Sequence, residues 1–174
     1  MDACGSIWQG CKNDEGGGIS VRAASILAPA IALVASAAVS AQSARPMLDY
    51  STAATIRDTC LAWAGERNLN IAIAVYDETG RLITFAFMDG TSTAVTDFAM
   101  WKGRSAATIH VASKETANWG QGAPGVATWE GGTPFFTADG LALGGVGVSG
   151  AESADDSACG EAGIAAAGLL SQGQ

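Results

Sequence analysis

The chain holds one histidine, His110, and no C-x-x-C pair. Those two shortages exclude a multi-histidine metal site and a zinc site built on paired cysteines. Positive charge is also scarce: nine Lys and Arg stand against seventeen Asp and Glu, a formal net charge of −8, and no basic cluster forms. A chain of that balance is a poor partner for nucleic acid or anionic lipid. Beyond residue 42 only two cysteines remain, Cys60 and Cys159. An oxidising compartment would let them bridge, but both fall in expected helices and read as well as separate buried thiols. With one histidine far from Ser149, a serine triad has no base, and Val148-Ser149-Gly150 is not a strand-to-helix nucleophile elbow.

Turning to what is present, Ala23 to Ala41 is an apolar, alanine-rich run preceded by Arg22 and closed by the small residues Val39-Ser40-Ala41. That is the layout of a cleaved secretory signal, and a proline within the run argues against a retained membrane anchor. Residues 1–20 carry Asp2, Asp14 and Glu15 where a signal begins with basic residues. We therefore expect a misassigned extension over 1–20, a signal peptide over 21–41, and one domain over 42–174. The mature protein would be periplasmic or secreted and not membrane-bound. That domain has seven basic and fourteen acidic residues, a formal charge of −7, and its length suits a single core.

Hydrophobic spacing sets the order of elements. Ser51 is placed to cap a helix reaching about Arg67, with Ile56, Cys60 and Trp63 on one face. Ile71–Tyr76 and Leu82–Met88 alternate as strands about the turn Asp77-Glu78-Thr79-Gly80, with Ile83, Phe85 and Phe87 expected on one side. A second helix covers about Ala94–Ala112, followed by an irregular stretch over Ser113–Gly132 that holds Trp119 and Trp129. Thr133–Ala138 and Leu141–Val148 read as a hairpin joined by the two residues Asp139-Gly140. Ser153 with Asp156 three residues on resembles a capping box for a last helix. The order α-β-β-α-β-β-α predicts an α+β fold, an antiparallel sheet with helices packed on it. The two β-β-α halves look alike in outline.

Gly145-Val146-Gly147-Val148-Ser149-Gly150 is a literal G-x-G-x-x-G. It is not a dinucleotide fingerprint, because that needs another parallel strand after its helix, with an acidic residue for the ribose. Glu152, Asp155 and Asp156 would also repel a pyrophosphate at the helix start. The glycines read either as close approach of a helix to the sheet or as backbone contact with a ligand, through Gly147 and Gly150.

Lys102 falls within an apolar stripe of the second helix made by Val95, Phe98, Ala99, Ala106 and Ile109. It must snorkel, pair with a carboxylate such as Asp89, or point into a pocket where it could hold an anion or act as a base. A lone histidine can still ligate haem iron, as can Met or Tyr. His110 is the first candidate for that role, with Met88, Met100 and Tyr76 behind it. The long tryptophan-bearing loop is the part expected to form a lid or an interface.

The element order together with Phe87-Met88-Asp89-Gly90, Lys102, Gly131-Gly132-Thr133-Pro134, the Gly145–Gly150 run and Asp156-Ser157-Ala158-Cys159 resembles the GlcG/HbpS family. The resemblance covers about Leu48 to Leu170. It implies an α/β sandwich assembling as a homo-oligomer, with haem as cofactor. His110 stands where the family pattern has a bulky apolar residue. Three functions are then open. One is an exported, oligomeric haem-binding carrier, scavenger or sensor partner, with His110 as axial ligand and Met88, Lys102, Gly147 and Gly150 in its binding site. Another is an enzyme or binding protein for a small acidic metabolite, anchored by Lys102 and Asp89. The third is a protein-interaction module using Trp119 and Trp129.

Overall fold

A computed structural model describes residues 44–120 and 122–173. The expected extension, the signal peptide and its cleavage point before Gln42 lie outside the described residues. The elements are α1 (Tyr50–Gly65), β1 (Ala72–Asp77), β2 (Leu82–Phe87), α2 (Thr93–Ile109), α3 (Ser113–Thr116), β3 (Gly132–Phe136), β4 (Ala142–Ser149) and α4 (Ser153–Ala166). The single turn α3 breaks the stretch expected to be irregular throughout. The strands form one antiparallel sheet in the order β2-β1-β4-β3. α1 and α4 lie on one face and α2 on the other, so the α+β sandwich expected from spacing is the fold.

The glycines of β4 determine how closely α2 can lie. A Cβ on Gly147 would collide with the Ala99 carbonyl oxygen and the Gly103 backbone nitrogen, and one on Gly145 with the backbone of Ala107. Val146 and Val148 alternate with them and enter the opposite layer, a core with Ile56, Ile73, Val75, Phe135 and Ile164. A Cβ on Gly150 would strike the Asn70 carbonyl oxygen. The run that mimics a nucleotide loop is thus filled by the protein's own backbone, which favours the packing reading over ligand contact.

Several local expectations are corrected. Asp49, not Ser51, caps α1, its carboxylate accepting from the Thr52 N–H at 2.7 Å. Glu152 occupies the N-cap of α4 without a side-chain bond, and Asp156 is turned toward Lys102 instead of forming a capping box with Ser153. β1 and β2 slip register between Val75 and Tyr76, pairing Val75 with Thr84 and Tyr76 with Leu82. That bulge puts Ile83 in the α1/α4 core while Phe85 joins Ala74 and Tyr76 under α2, so Ile83, Phe85 and Phe87 do not share a side. The β3–β4 connection is longer than two residues: Thr137 N–H donates to Leu141 O and Gly140 N–H to Thr137 O. Asp77, Gly80 and Arg81 repeat those bonds in the first hairpin, and Gly80 and Gly140 both take positive φ, 78° and 82°. This is a turn followed by a left-handed glycine, which matches the twist of the flanking strands. Cys60 and Cys159 are not separate thiols: they form a disulfide joining α1 to α4, with Cα atoms 4.8 Å apart.

Candidate functional site

α2 places Met100, Arg104 and Thr108 at four-residue intervals, so they share one helical face. That face, with Trp101 and Ile109, forms one wall of a cleft of about 610 Å³. Tyr76 reaches it from β1, and Pro124, Gly125 and Val126 close the far side. The far wall is tied down at the next residue. Ala127 N–H donates to Ser105 Oγ at 2.8 Å, and Thr116 Oγ1 donates to the Ala127 carbonyl. Two buried hydroxyls on α2 and α3 therefore fix a loop that is otherwise exposed. Trp129 does not project freely from this loop. Its ring packs edge-on against Phe98 at 4.8 Å and Trp101 at 6.1 Å between centroids, beside the cleft. Trp119 is exposed.

Arg104 is the one charged residue lining the cleft, and no carboxylate pairs with it among the described residues. Tyr76 is only 6% exposed, yet its hydroxyl bonds to no other described residue. No buried side-chain polar atom among the described residues lacks a partner, so that hydroxyl is not sealed in the core but opens into the cleft. Burial pushes the Tyr76 phenol above its ordinary pKa, and the Arg104 charge works against that rise. Apolar walls with a few convergent polar groups are the usual make-up of a small-molecule site.

Lys102 lies on another face of α2 and is 3% exposed. Its ammonium donates to Asp156 Oδ2 at 2.9 Å and to the Val148 carbonyl at 3.0 Å. Asp156 Oδ1 in turn accepts from the Ala151 N–H at 3.1 Å. The carboxylate paired with Lys102 is therefore Asp156, and Asp89 is exposed outside the sheet. Burial raises the Asp156 pKa against the lowering effect of Lys102 and the Ala151 N–H. The pair bolts α2 to β4 and α4 and leaves no ammonium free to meet a substrate.

His110 ends α2 in the left-handed region, φ 61° and ψ 27°. It is exposed and borders a second, more polar cavity of about 530 Å³ with Lys114, Phe136, Glu161 and Gln172, its ring 6.4 Å from that of Phe136. Met88 packs against the α1/α4 core. Of the residues singled out from the sequence, the structure brings Tyr76 and Met100 together in the cleft and leaves His110, Met88, Lys102 and Asp89 in other places. Arg104 and Trp101 were missed, although the i, i+4 spacing of Met100, Arg104 and Thr108 was visible; the Pro124–Val126 wall lies in the Ser113–Gly132 loop expected to form a lid or an interface. Among the described residues no group of three or more His, Cys, Asp or Glu side chains could hold a metal ion.

A family model described as haem degrading protein HbpS-like matches residues 48–165, from the loop before α1 to near the end of α4. This chain belongs to the HbpS-like family. HbpS itself is similar in structure, with a TM-score of 0.66 and 26% identity over 72% of this chain and 93% of that one. A double mutant of Streptomyces reticuli HbpS gives a TM-score of 0.65 and 27% identity over 71% and 89%. The fold is also shared with PduOC, solved as a haem complex, with a TM-score of 0.68 and 20% identity over 73% and 99%. Comparison with the curated proteins found no match. No helix of the described residues in this HbpS-like chain is long and apolar enough to cross a membrane.

Proposed function

We propose that this HbpS-like protein is an exported, homo-oligomeric haem-binding protein whose ligand sits in the Tyr76–Arg104 cleft. The observation that carries the reading is that one cleft gathers two possible iron donors, the Arg104 cation and apolar walls. Those residues fit a haem: Tyr76 or Met100 can hold the iron, Arg104 can meet a carboxylate, and Trp101, Ile109 and Val126 can flank the ring. Haem would supply a redox-active iron, while the protein's residues bind and orient it. His110 offers an imidazole, but from an exposed helix end beside a polar cavity, so it stands second as the ligand.

Export is supported by the signal-like run over 21–41 and by the Cys60–Cys159 bridge, a bond that persists in oxidising compartments. Self-association is supported by exposed Leu82 and Phe87 on the outer strand β2 and by Trp119. A small acidic metabolite is the second reading, favoured by Arg104 and the Tyr76 hydroxyl lining one cleft, neither of them paired with another described residue.

The test is a haemin titration of the protein beginning at Gln42, followed at the Soret band, with Val126→Trp to fill the cleft and His110→Ala. The reading expects a saturable band in the wild type and in His110→Ala, lost in Val126→Trp. Loss in His110→Ala alone would move the haem to the second cavity. A wild type without a specific band would reject haem and leave the metabolite reading.

A further inference from the structure

The cleft holds two chemically different iron donors, the Tyr76 phenol and the Met100 thioether, and they favour different oxidation states. We propose that Tyr76 is the iron ligand, in a cleft whose one charged lining residue among those described is Arg104, so that the cleft is selective for ferric over ferrous haem. This rests on the haem reading above and goes further by naming the ligand and the oxidation state.

Tyr76 is held in place by its strand and by its packing. Its backbone lies in β1, an inner strand, paired with Leu82 on one side and Gly145 on the other. Its ring fills space that only a glycine leaves open, since a Cβ on Gly103 would lie 3.1 Å from Tyr76 Cδ2. Ala74, Ala107, Phe85 and Met100 complete the packing around it. The ring direction is thus fixed, and the hydroxyl at its tip opens into the cleft, bonded to no other described residue. A donor held in place and open to a cleft is organised in advance for a ligand.

The surrounding charge agrees. Among the described residues no carboxylate lines the cleft to accept the phenol proton or to repel a phenolate, and the one charged lining group is the Arg104 guanidinium. On coordination the Tyr76 O–H bond breaks, an oxygen lone pair makes the bond to iron, and the proton leaves to solvent. No electron is transferred. An anionic oxygen is a hard donor that prefers the higher charge of ferric iron, whereas a thioether is soft and prefers the reduced metal.

Resonance Raman spectroscopy and haemin titration of the purified protein, Tyr76→Phe and Met100→Leu test the assignment. The ferric wild type and Met100→Leu should show iron–phenolate vibrations. Tyr76→Phe keeps the ring and its packing, and should lose those vibrations and bind haemin at least about tenfold more weakly. The wild type should also hold haem at least about tenfold less tightly after reduction, a readout that needs no variant. A Tyr76→Phe protein with wild-type spectrum and affinity would overturn the assignment while leaving haem binding intact, as would equal affinity for both oxidation states. Absence of any haemin binding by the wild type would remove the haem reading itself.

Discussion

Removing the bond between Cys60 and Cys159 is the perturbation whose size follows most directly from the fold. The two residues are 99 apart in sequence and tie the first helix to the last. Both are buried, and α1 and α4 meet closely there, where Gly163 leaves no room for a Cβ against the Ile56 backbone. Opening a loop of about 100 residues restores chain entropy to the unfolded state worth about 4.7 kcal/mol at 25 °C. A domain of this size has a total stability of roughly 5–15 kcal/mol, so the bridge accounts for a third or more of it. At about 4 °C per kcal/mol, the double variant Cys60→Ala/Cys159→Ala should melt about 15–20 °C below the wild type. Calorimetry of the wild type with and without reductant, alongside the variant, measures this. A reduced protein melting within about 3 °C of the oxidised one at this loop length would refute the reasoning. So would two free thiols titrating in protein purified from an oxidising host.

Other consequences follow from the same contacts. Lys102→Met should cost roughly 3–5 kcal/mol, because it strands the Asp156 carboxylate in the core, while Lys102→Met/Asp156→Leu should recover most of that loss in urea unfolding. Gly147→Ala should unfold the protein or lower its urea midpoint sharply, since the added methyl meets α2 backbone on two sides; Gly65→Ala, with open space around it, should be neutral or slightly stabilising. Burial pushes the Asp77 carboxyl up, but bonds from the Thr79 hydroxyl and the Arg81 and Thr79 backbone N–H groups outweigh it and leave its pKa lowered. Its stabilisation is therefore present above the ordinary carboxylate pKa of about 4 and is lost as pH falls through the lower folded value. Asp77→Asn should flatten the acid limb of the stability–pH curve, read by urea unfolding at successive pH values.

How far the sequence reveals this molecule depends on how local each determinant is. The two hairpins and the three long helices are carried by short-range alternation and helical spacing, and they are legible. The bulge that moves Ile83 away from Phe85 is not, because a one-residue slip in pairing leaves no mark in the alternation of either strand alone. Lys102 stands out as a charge in an apolar stripe, but its partner Asp156 lies 54 residues on, where it imitates a capping residue. The cysteine pairing depends on how α1 and α4 meet across the sheet. The cleft is the least legible part. Its donors Tyr76 and Met100 are recognisable as residue types, but the wall they face is set by two hydroxyls gripping the backbone of Ala127, whose side chain contributes nothing to those bonds. The lone histidine draws attention by its rarity, and the fold places it at an exposed helix end.

The most direct measurement of the central claim is a crystal structure of the protein grown with haemin. The account predicts porphyrin between the Met100–Arg104 face of α2 and the Pro124–Val126 wall, iron bonded to the Tyr76 oxygen, and a propionate at Arg104. Haem seated against His110, or a cleft left empty in crystals of haem-loaded protein, would contradict it.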